Sequence, residues 1–184
     1  MTDVLTIDKL NKAFGGIVVA DEIDLTLKAG RVLGLIGPNG AGKTSLFNLI
    51  CGVVKPDSGR IALNGVSLET LPIRERARRG LARTWQNLRL FPSLTVLDNL
   101  MLGPTLYSAD SLADVLIRPA AVARHERETR ERALAILERT GLSDIAEKPI
   151  QDITFGQQKL VGVARALMND AKCLLLDEPM AGVE

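Results

Sequence analysis

Gly37-Pro38-Asn39-Gly40-Ala41-Gly42-Lys43-Thr44 fits the pattern G-x-x-x-x-G-K-[ST]. On its N-terminal side runs Val32-Leu33-Gly34-Leu35-Ile36, an almost unbroken apolar stretch that suits a strand covered on both faces, as in a parallel sheet. On its C-terminal side, residues from Thr44 to Ile50 read as a helix. Strand, glycine-rich turn and helix, in that order, make a phosphate cradle. Glycines let backbone N–H groups converge on phosphate oxygens where a Cβ would obstruct them. The helix that begins there adds the positive end of its dipole. Lys43 can reach the β- and γ-phosphates of a nucleotide, and the Thr44 hydroxyl can ligate Mg²⁺. The expectation is an α/β fold that holds a nucleoside triphosphate.

Working outward, Asp21-Glu22-Ile23-Asp24-Leu25-Thr26-Leu27 alternates polar and apolar, the period of a half-buried strand. Gly59 to Leu63 resumes strand character, and Asn64-Gly65 is a turn signal. From about Asn87 the texture changes. Leu94 to Leu102 reads as a helix with Thr95 as its N-cap and Gly103-Pro104 as its stop. Ala121 to Thr140 is a charged helix carrying Leu134, Ile136 and Leu137, stopped by Gly141. Gln157 to Met168 is a third, with Leu160, Val161, Ala164, Leu167 and Met168 near helical spacing. Lys172 to Leu176 returns to buried-strand character. An α/β core interrupted by a helical insertion is the implied order, with no repeat and no flexible linker.

Composition narrows the class. The 184 residues are 46% hydrophobic and 24% charged, too apolar for a disordered chain and ample for a buried core. Basic and acidic side chains number 23 and 22, so a net charge of +1 gives no argument for a nucleic-acid partner. Aromatics at 3% argue against a base-stacking surface. No apolar run approaches the ~18–20 residues that span a bilayer. Met1-Thr2-Asp3-Val4 puts an acid where a signal peptide has basic residues. Cys51 and Cys173 lie in apolar surroundings without metal-ligand spacing, as buried thiols of a reducing compartment do. The chain reads as soluble and intracellular.

A second chemical end lies far along the chain. Cys173-Leu174-Leu175-Leu176-Asp177-Glu178 is an apolar strand ending in two acids. At the carboxyl end of a parallel strand, acids face the crevice where α/β sheets bind ligands. Asp177 is then placed to hold Mg²⁺, directly or through water, and Glu178 to orient or deprotonate an attacking water. An acidic strand-to-loop junction is the plain alternative, and the cradle weighs against it.

With both ends in view, the sequence resembles the ATP-binding subunits of ABC transporters. Walker A is Gly37–Thr44 and Walker B is Leu174–Glu178. Ile153-Thr154-Phe155-Gly156-Gln157-Gln158 matches the signature motif, and Gln86, after Arg83-Thr84-Trp85, matches the Q-loop glutamine. Within the family the chain is similar to the ATPase subunits of branched-chain amino acid importers. Phe14-Gly15-Gly16, Arg83 to Phe91, the insertion from Gly103 to Arg124, and Phe155-Gly156-Gln157-Gln158 carry that likeness. Asp177-Glu178-Pro179-Met180-Ala181-Gly182 is shared with other importers and with lipopolysaccharide-export ATPases.

The resemblance implies an ABC-type P-loop NTPase core with an N-terminal antiparallel β subdomain and an inserted α-helical subdomain. It implies one ATP-binding domain over 1–184, with 1–86 and 171–184 as core and 87–170 as helical subdomain. ATP and Mg²⁺ are the implied ligands. Gly37, Pro38, Asn39, Gly40, Ala41, Gly42, Lys43, Thr44 and Ser45 would hold the phosphates, and Phe14 would stack on adenine unless it is a core phenylalanine. Thr44, Gln86 and Asp177 would hold the metal; Glu178, Gln86 and Lys43 would carry catalysis. Thr154, Gly156 and Gln157 would meet the γ-phosphate of ATP held by a second ATP-binding subunit, identical or not. Phe155 stands in place of the first glycine of the commonest signature. Permease subunits would seat on Arg89 to Val96, where Leu90, Phe91 and Leu94 could equally be packing residues. A periplasmic solute-binding protein would act indirectly, and the subunit would sit on the cytoplasmic face of a bacterial inner membrane.

Other readings are the ATPase of a different transporter, such as the lipopolysaccharide exporter, or a soluble ABC-type ATPase of DNA repair or translation. The latter usually has tandem domains or coiled-coil insertions, which this sequence lacks. A binding module without turnover is disfavoured by Lys43, Asp177 and Glu178. His125 precedes Walker B, whereas the family's switch histidine follows it, so a solvated helix face explains it. Arg74 to Arg79 reads as an exposed helix, and Tyr107 with Leu112–Ile117 as partner contact or core. Ala181-Gly182-Val183-Glu184 falls inside what the resemblance makes the D-loop. A C-terminal part missing after it would leave this chain less stable than a complete subunit and poor at hydrolysis.

Overall fold

Strand β1 (Asp3–Phe14) and strand β2 (Ile17–Lys28) fold onto each other antiparallel, Phe14 opposite Ile17. The two residues between them, Gly15 and Gly16, take φ of 51° and 88°, which the twist of a tight hairpin demands and a Cβ would resist. The structure, a computed structural model, describes residues 2–84, 90–103 and 119–177. It separates into two units, Met1–Leu81 and Ala82–Glu184.

In the first unit the sheet order is β2-β1-β3-β4, with β3 at Ser58–Leu63 and β4 at Val66–Ser67. The expected alternation over Asp21–Leu27 lies within β2, and Asn64-Gly65 makes the β3–β4 turn. Leu5, Ile7 and Leu10 of β1 are buried, and so are Ile61 and Leu63 of β3. The step from Ile7 to Leu10 breaks strict alternation because the pairing with β2 shifts register there. Lys9 and Glu22 take positive φ, 43° and 41°, and their amides donate to Asp24 Oδ1 (2.8 Å) and Asn11 Oδ1 (2.9 Å).

Helix α1 (Lys43–Cys51) lies against β2, with Leu46, Leu49 and Ile50 as its buried stripe at i, i+3, i+4. Burying a leucine such as Leu49 fully stabilises by about 1.5–3 kcal/mol. The C-terminus of α1 ends on Gly52 and receives a guanidinium. Arg76 Nη1 donates to Leu49 O (3.0 Å) and Ile50 O (2.8 Å), while its Nε donates to Leu71 O (2.9 Å). A cation at the negative end of a helix satisfies its last carbonyls. Arg76 belongs to α2 (Ile73–Arg78) and is only 3% exposed, so the basic run Arg74–Arg79 is not the wholly exposed helix expected. Its burial pulls the guanidinium pKa down.

The apolar run Val32–Ile36 departs from expectation. It joins neither sheet, and Val32 and Ile36 are fully exposed. Apolar content favours a strand only where neighbouring strands pair with it and cover its faces, and among the described residues none pairs with this run.

In the second unit, β5 (Leu81–Arg83) pairs with β6 (Cys173–Leu175). Helices α3 (Val96–Met101), α4 (Pro119–Arg139) and α5 (Phe155–Leu167) share a core that includes Leu97, Leu100, Leu137, Val161 and Met168. Thr95 caps α3 as expected, its side chain accepting from the Asp98 amide. Asn99 of α3 is fully buried: it accepts from Phe91 N–H (2.8 Å) and donates to Phe91 O (3.1 Å) and Thr95 O (2.9 Å). One amide side chain thus pins the loop before α3. Leu134 (42% exposed) and Leu160 (40% exposed) face outward despite their helical spacing. Cys51 and Cys173 are buried and not joined in a disulfide, as expected. Among the described residues no helix is long and apolar enough to cross a membrane.

Candidate functional site

The glycine-rich loop meets α1 at Gly42, whose φ of 86° makes it the helix N-cap. A Cβ there would stand 2.7 Å from the carbonyl oxygen of Val19 on β2, so the close approach of loop to sheet needs glycine. No side chain caps this helix and no acid occupies its first turn. Ala41 N–H turns back to Pro38 O (3.2 Å), and the first helical bond runs from Leu46 N–H to Gly42 O (2.8 Å). The amides of Lys43, Thr44 and Ser45 therefore open the helix without intrahelical acceptors. Lys43 Nζ donates to Gly37 O (2.7 Å) and Pro38 O (2.8 Å), curling the loop around one ammonium. An ammonium has three protons, which leaves one donor for an incoming oxygen. Residues 37–41 and Thr44 are exposed; Ser45 is half-buried. A concave run of amides under a lysine is chemistry for an anion with several oxygens.

Phe14 is 46% exposed at the end of β1, which sets aside the core alternative. Lys12 Nζ lies 5.1 Å from its ring centroid and pairs with Asp57 Oδ1 at 2.6 Å, while Ala13 N–H donates to Asp57 Oδ2 (2.9 Å). The Lys12 ammonium, then the Ala13 amide, hold the Asp57 carboxyl below its ordinary pKa. The ring is exposed, with a fixed cation over it.

In the second unit, Asp177 follows β6 and is 6% exposed. Its Oδ2 accepts from Arg83 Nη2 at 2.7 Å, and its amide donates to the Thr84 hydroxyl (3.2 Å). A buried carboxylate with one cation on one oxygen suits a further cation, and Mg²⁺ takes carboxylate, hydroxyl and phosphate oxygens together. Asp177 is a hard oxygen donor of the kind that metal takes. Gln86 and Glu178 lie outside the described residues.

Thr154 and Gln157 open α5 as a capping box: Thr154 Oγ1 accepts from Gln157 N–H (3.3 Å), and Gln157 Oε1 accepts from Thr154 N–H (2.9 Å). The helix begins at Phe155, two residues before the expected start, with Gly156 in its first turn. Both side chains are engaged within the helix, leaving the Phe155 and Gly156 amides as its open donors. Phe155 is exposed with Lys159 over its ring. Leu94 is half-buried and Phe91 is 51% exposed. Tyr107 and Leu112–Ile117 lie outside the described residues, and His125 is half-buried on α4 rather than on a solvated face.

Arg76, Asn99 and Arg83 carry structure that sequence reasoning missed. Arg76 and Arg83 are buried against carbonyls or a carboxylate distant in sequence, and Asn99 against the loop just before its helix, and the residue types around them do not signal this.

The family model described as ABC transporter matches residues 20–181. The high-affinity branched-chain amino acid transport ATP-binding protein LivG of Salmonella typhimurium is 37% identical over 180 residues, 98% of this chain and 71% of that protein. BraF of Pseudomonas aeruginosa, named for the same transport, is 36% identical over 180 residues, with the same shares. The ADP conformation of an ATP-binding cassette of an ABC transporter is a structural match with a TM-score of 0.82 at 31% identity, over 100% of this chain and 72% of that one. The antiparallel sheet, the loop-to-helix cradle and the helical unit are therefore those of the ABC-type P-loop NTPase fold. A sequence match across most of the chain and a structural match across all of it lead to one conclusion: this chain belongs to the ABC transporter family, as an ATPase cassette.

Proposed function

We propose that this ATPase cassette energises import of branched-chain amino acids. The observation that carries the nucleotide part is the open start of α1, with Lys43 holding Gly37 O and Pro38 O. The likeness to LivG and BraF supports the substrate class. Residues 1–86 and 171–184 form the nucleotide-binding core, and 87–170 the helical subdomain.

Gly37–Ser45 bind the phosphates of ATP through backbone amides, Lys43 adds charge at the β- and γ-phosphates, and Phe14 stacks on adenine. Thr44, Asp177 and Gln86 hold Mg²⁺, which when bound neutralises phosphate charge. Glu178 orients or deprotonates the attacking water. The Phe155 and Gly156 amides at the start of α5, beside Thr154 and Gln157, contact the γ-phosphate held by a second cassette, identical or not. Two nucleotides so shared close the pair, and loss of the γ-phosphate removes the bridge. Permease subunits seat near the loop pinned by Asn99, at the cytoplasmic face of the inner membrane, and a periplasmic solute-binding protein acts through them.

The test is reconstitution with the cognate permeases and binding protein in vesicles. ATP turnover is expected to rise when the binding protein carries leucine, isoleucine or valine, and to be abolished by Glu178→Gln with nucleotide still bound. Stimulation by an unrelated solute alone would overturn the substrate class.

A further inference from the structure

The ion pair of Arg83 with Asp177 is buried on both sides, at 5% and 6% side-chain exposure, and short at 2.7 Å. A carboxylate withdrawn from water this far needs a counter-charge, and an arginine supplies one that does not deprotonate. The strands fix both partners. Arg83 ends β5; the next residue, Thr84, donates its amide to Leu175 O (3.0 Å) on β6 and accepts the Asp177 amide on its hydroxyl (3.2 Å). The guanidinium meets Oδ2, and among the described residues no donor meets Oδ1.

We propose that Arg83 is a positioning residue acting through Asp177: a resident counter-charge that holds this carboxylate in place whenever no metal is bound. The inference rests on Asp177 being the metal-side carboxylate. Without metal, the ion-pair compensation of the buried charge found among the described residues falls on Arg83. With Mg²⁺ and nucleotide present, a second cation shares it. Removing Arg83 therefore costs more in the metal-free state than in the loaded state, so loading must stabilise the Arg83-less chain by more than the wild type. The same residue lies three positions before Gln86, so the backbone that carries the counter-charge also leads into the segment expected to sense the metal.

The test is thermal unfolding of the full chain, read by the fluorescence of Trp85, its one tryptophan. Wild type, Arg83→Met and Arg83→Lys are compared without ligand, with ADP plus chelator, and with Mg·ADP. Arg83→Met is expected to unfold several degrees lower without metal and to gain a clearly larger rise from Mg·ADP than wild type does. ADP with chelator should give no such excess, and Arg83→Lys should fall between. In an Asp177→Asn background, Arg83→Met should add little further loss, because the charge it balances is gone. Equal Mg·ADP increments in wild type and variant overturn the inference and leave an ordinary structural ion pair. If Arg83→Met does not fold, the increments of Arg83→Lys and Arg83→Gln decide by the same criterion. A wild-type chain that does not respond to Mg·ADP at all breaks the nucleotide reading itself, which separates the two failures.

Discussion

Helices α1 and α5 both begin at motifs that the family resemblance gives to phosphate, yet they begin in opposite ways. At α5 the chain supplies its own acceptors, Thr154 and Gln157 closing a capping box. At α1 the N-cap is Gly42, with no side chain to offer, and the first turn holds no acid. A helix whose N-cap and third amides are already engaged, as in α5, offers extra oxygens only the two amides between them. A helix whose first amides are open gains from any anion that fills them. Under the proposed function, the difference gives the firmer phosphate binding to α1 and a lighter, reversible contact to α5. It also shows where α1 is secured instead: at its far end, on Arg76.

Breaking that anchor should have the largest effect. Arg76→Met leaves the carbonyls of Leu49, Ile50 and Leu71 without the guanidinium, a loss of about 3 kcal/mol at ordinary unsatisfied-acceptor costs. A lower urea midpoint for the first unit, with the m-value unchanged, is the expected record. Next comes the cradle itself. Lys43→Ala removes a charge-assisted donor to phosphate, about 2 kcal/mol or roughly 30-fold in affinity, read by titration with a fluorescent ATP analogue. An affinity within twofold of wild type would erase the contrast between the two helix starts. The smallest effect belongs to α5. Thr154→Ala should cost about 1 kcal/mol of stability through the lost cap. Nucleotide affinity of the single chain should not move, and Thr154→Ser should restore the stability. A large loss of nucleotide affinity in Thr154→Ala would mean that α5, not α1, binds within one chain.

Much of the site was legible because its chemistry leaves marks on the backbone. Glycines at 37, 40 and 42 followed by Lys43 report a loop that must bring amides together, and Gly42 proves to sit against Val19 O. Thr95 before an apolar run reported its cap for the same reason. Phe155-Gly156, read as part of a motif, concealed the first turn of α5, because a glycine near a helix start carries no clear propensity signal. The apolarity of Val32–Ile36 predicts a strand, but pairing is a property of neighbours rather than of the run. Arg76 and Arg83 were illegible. An arginine, in a basic run as Arg76 is or alone as Arg83 is, looks solvated until the partners it buries against, Leu49 O and Ile50 O or Asp177, are brought up by the fold.

The central claim is that the loop from Gly37 to Ser45 holds the phosphates of a nucleotide. Amide NMR shifts during titration of the chain with Mg·ATP test it most directly. The account predicts that the largest shifts fall on Gly40, Gly42, Lys43, Thr44 and Ser45, and that Lys43→Ala moves their titration midpoint to roughly 30-fold higher Mg·ATP. Saturable binding that leaves those five amides in place and moves others, or a Lys43→Ala midpoint within twofold of wild type, would contradict it.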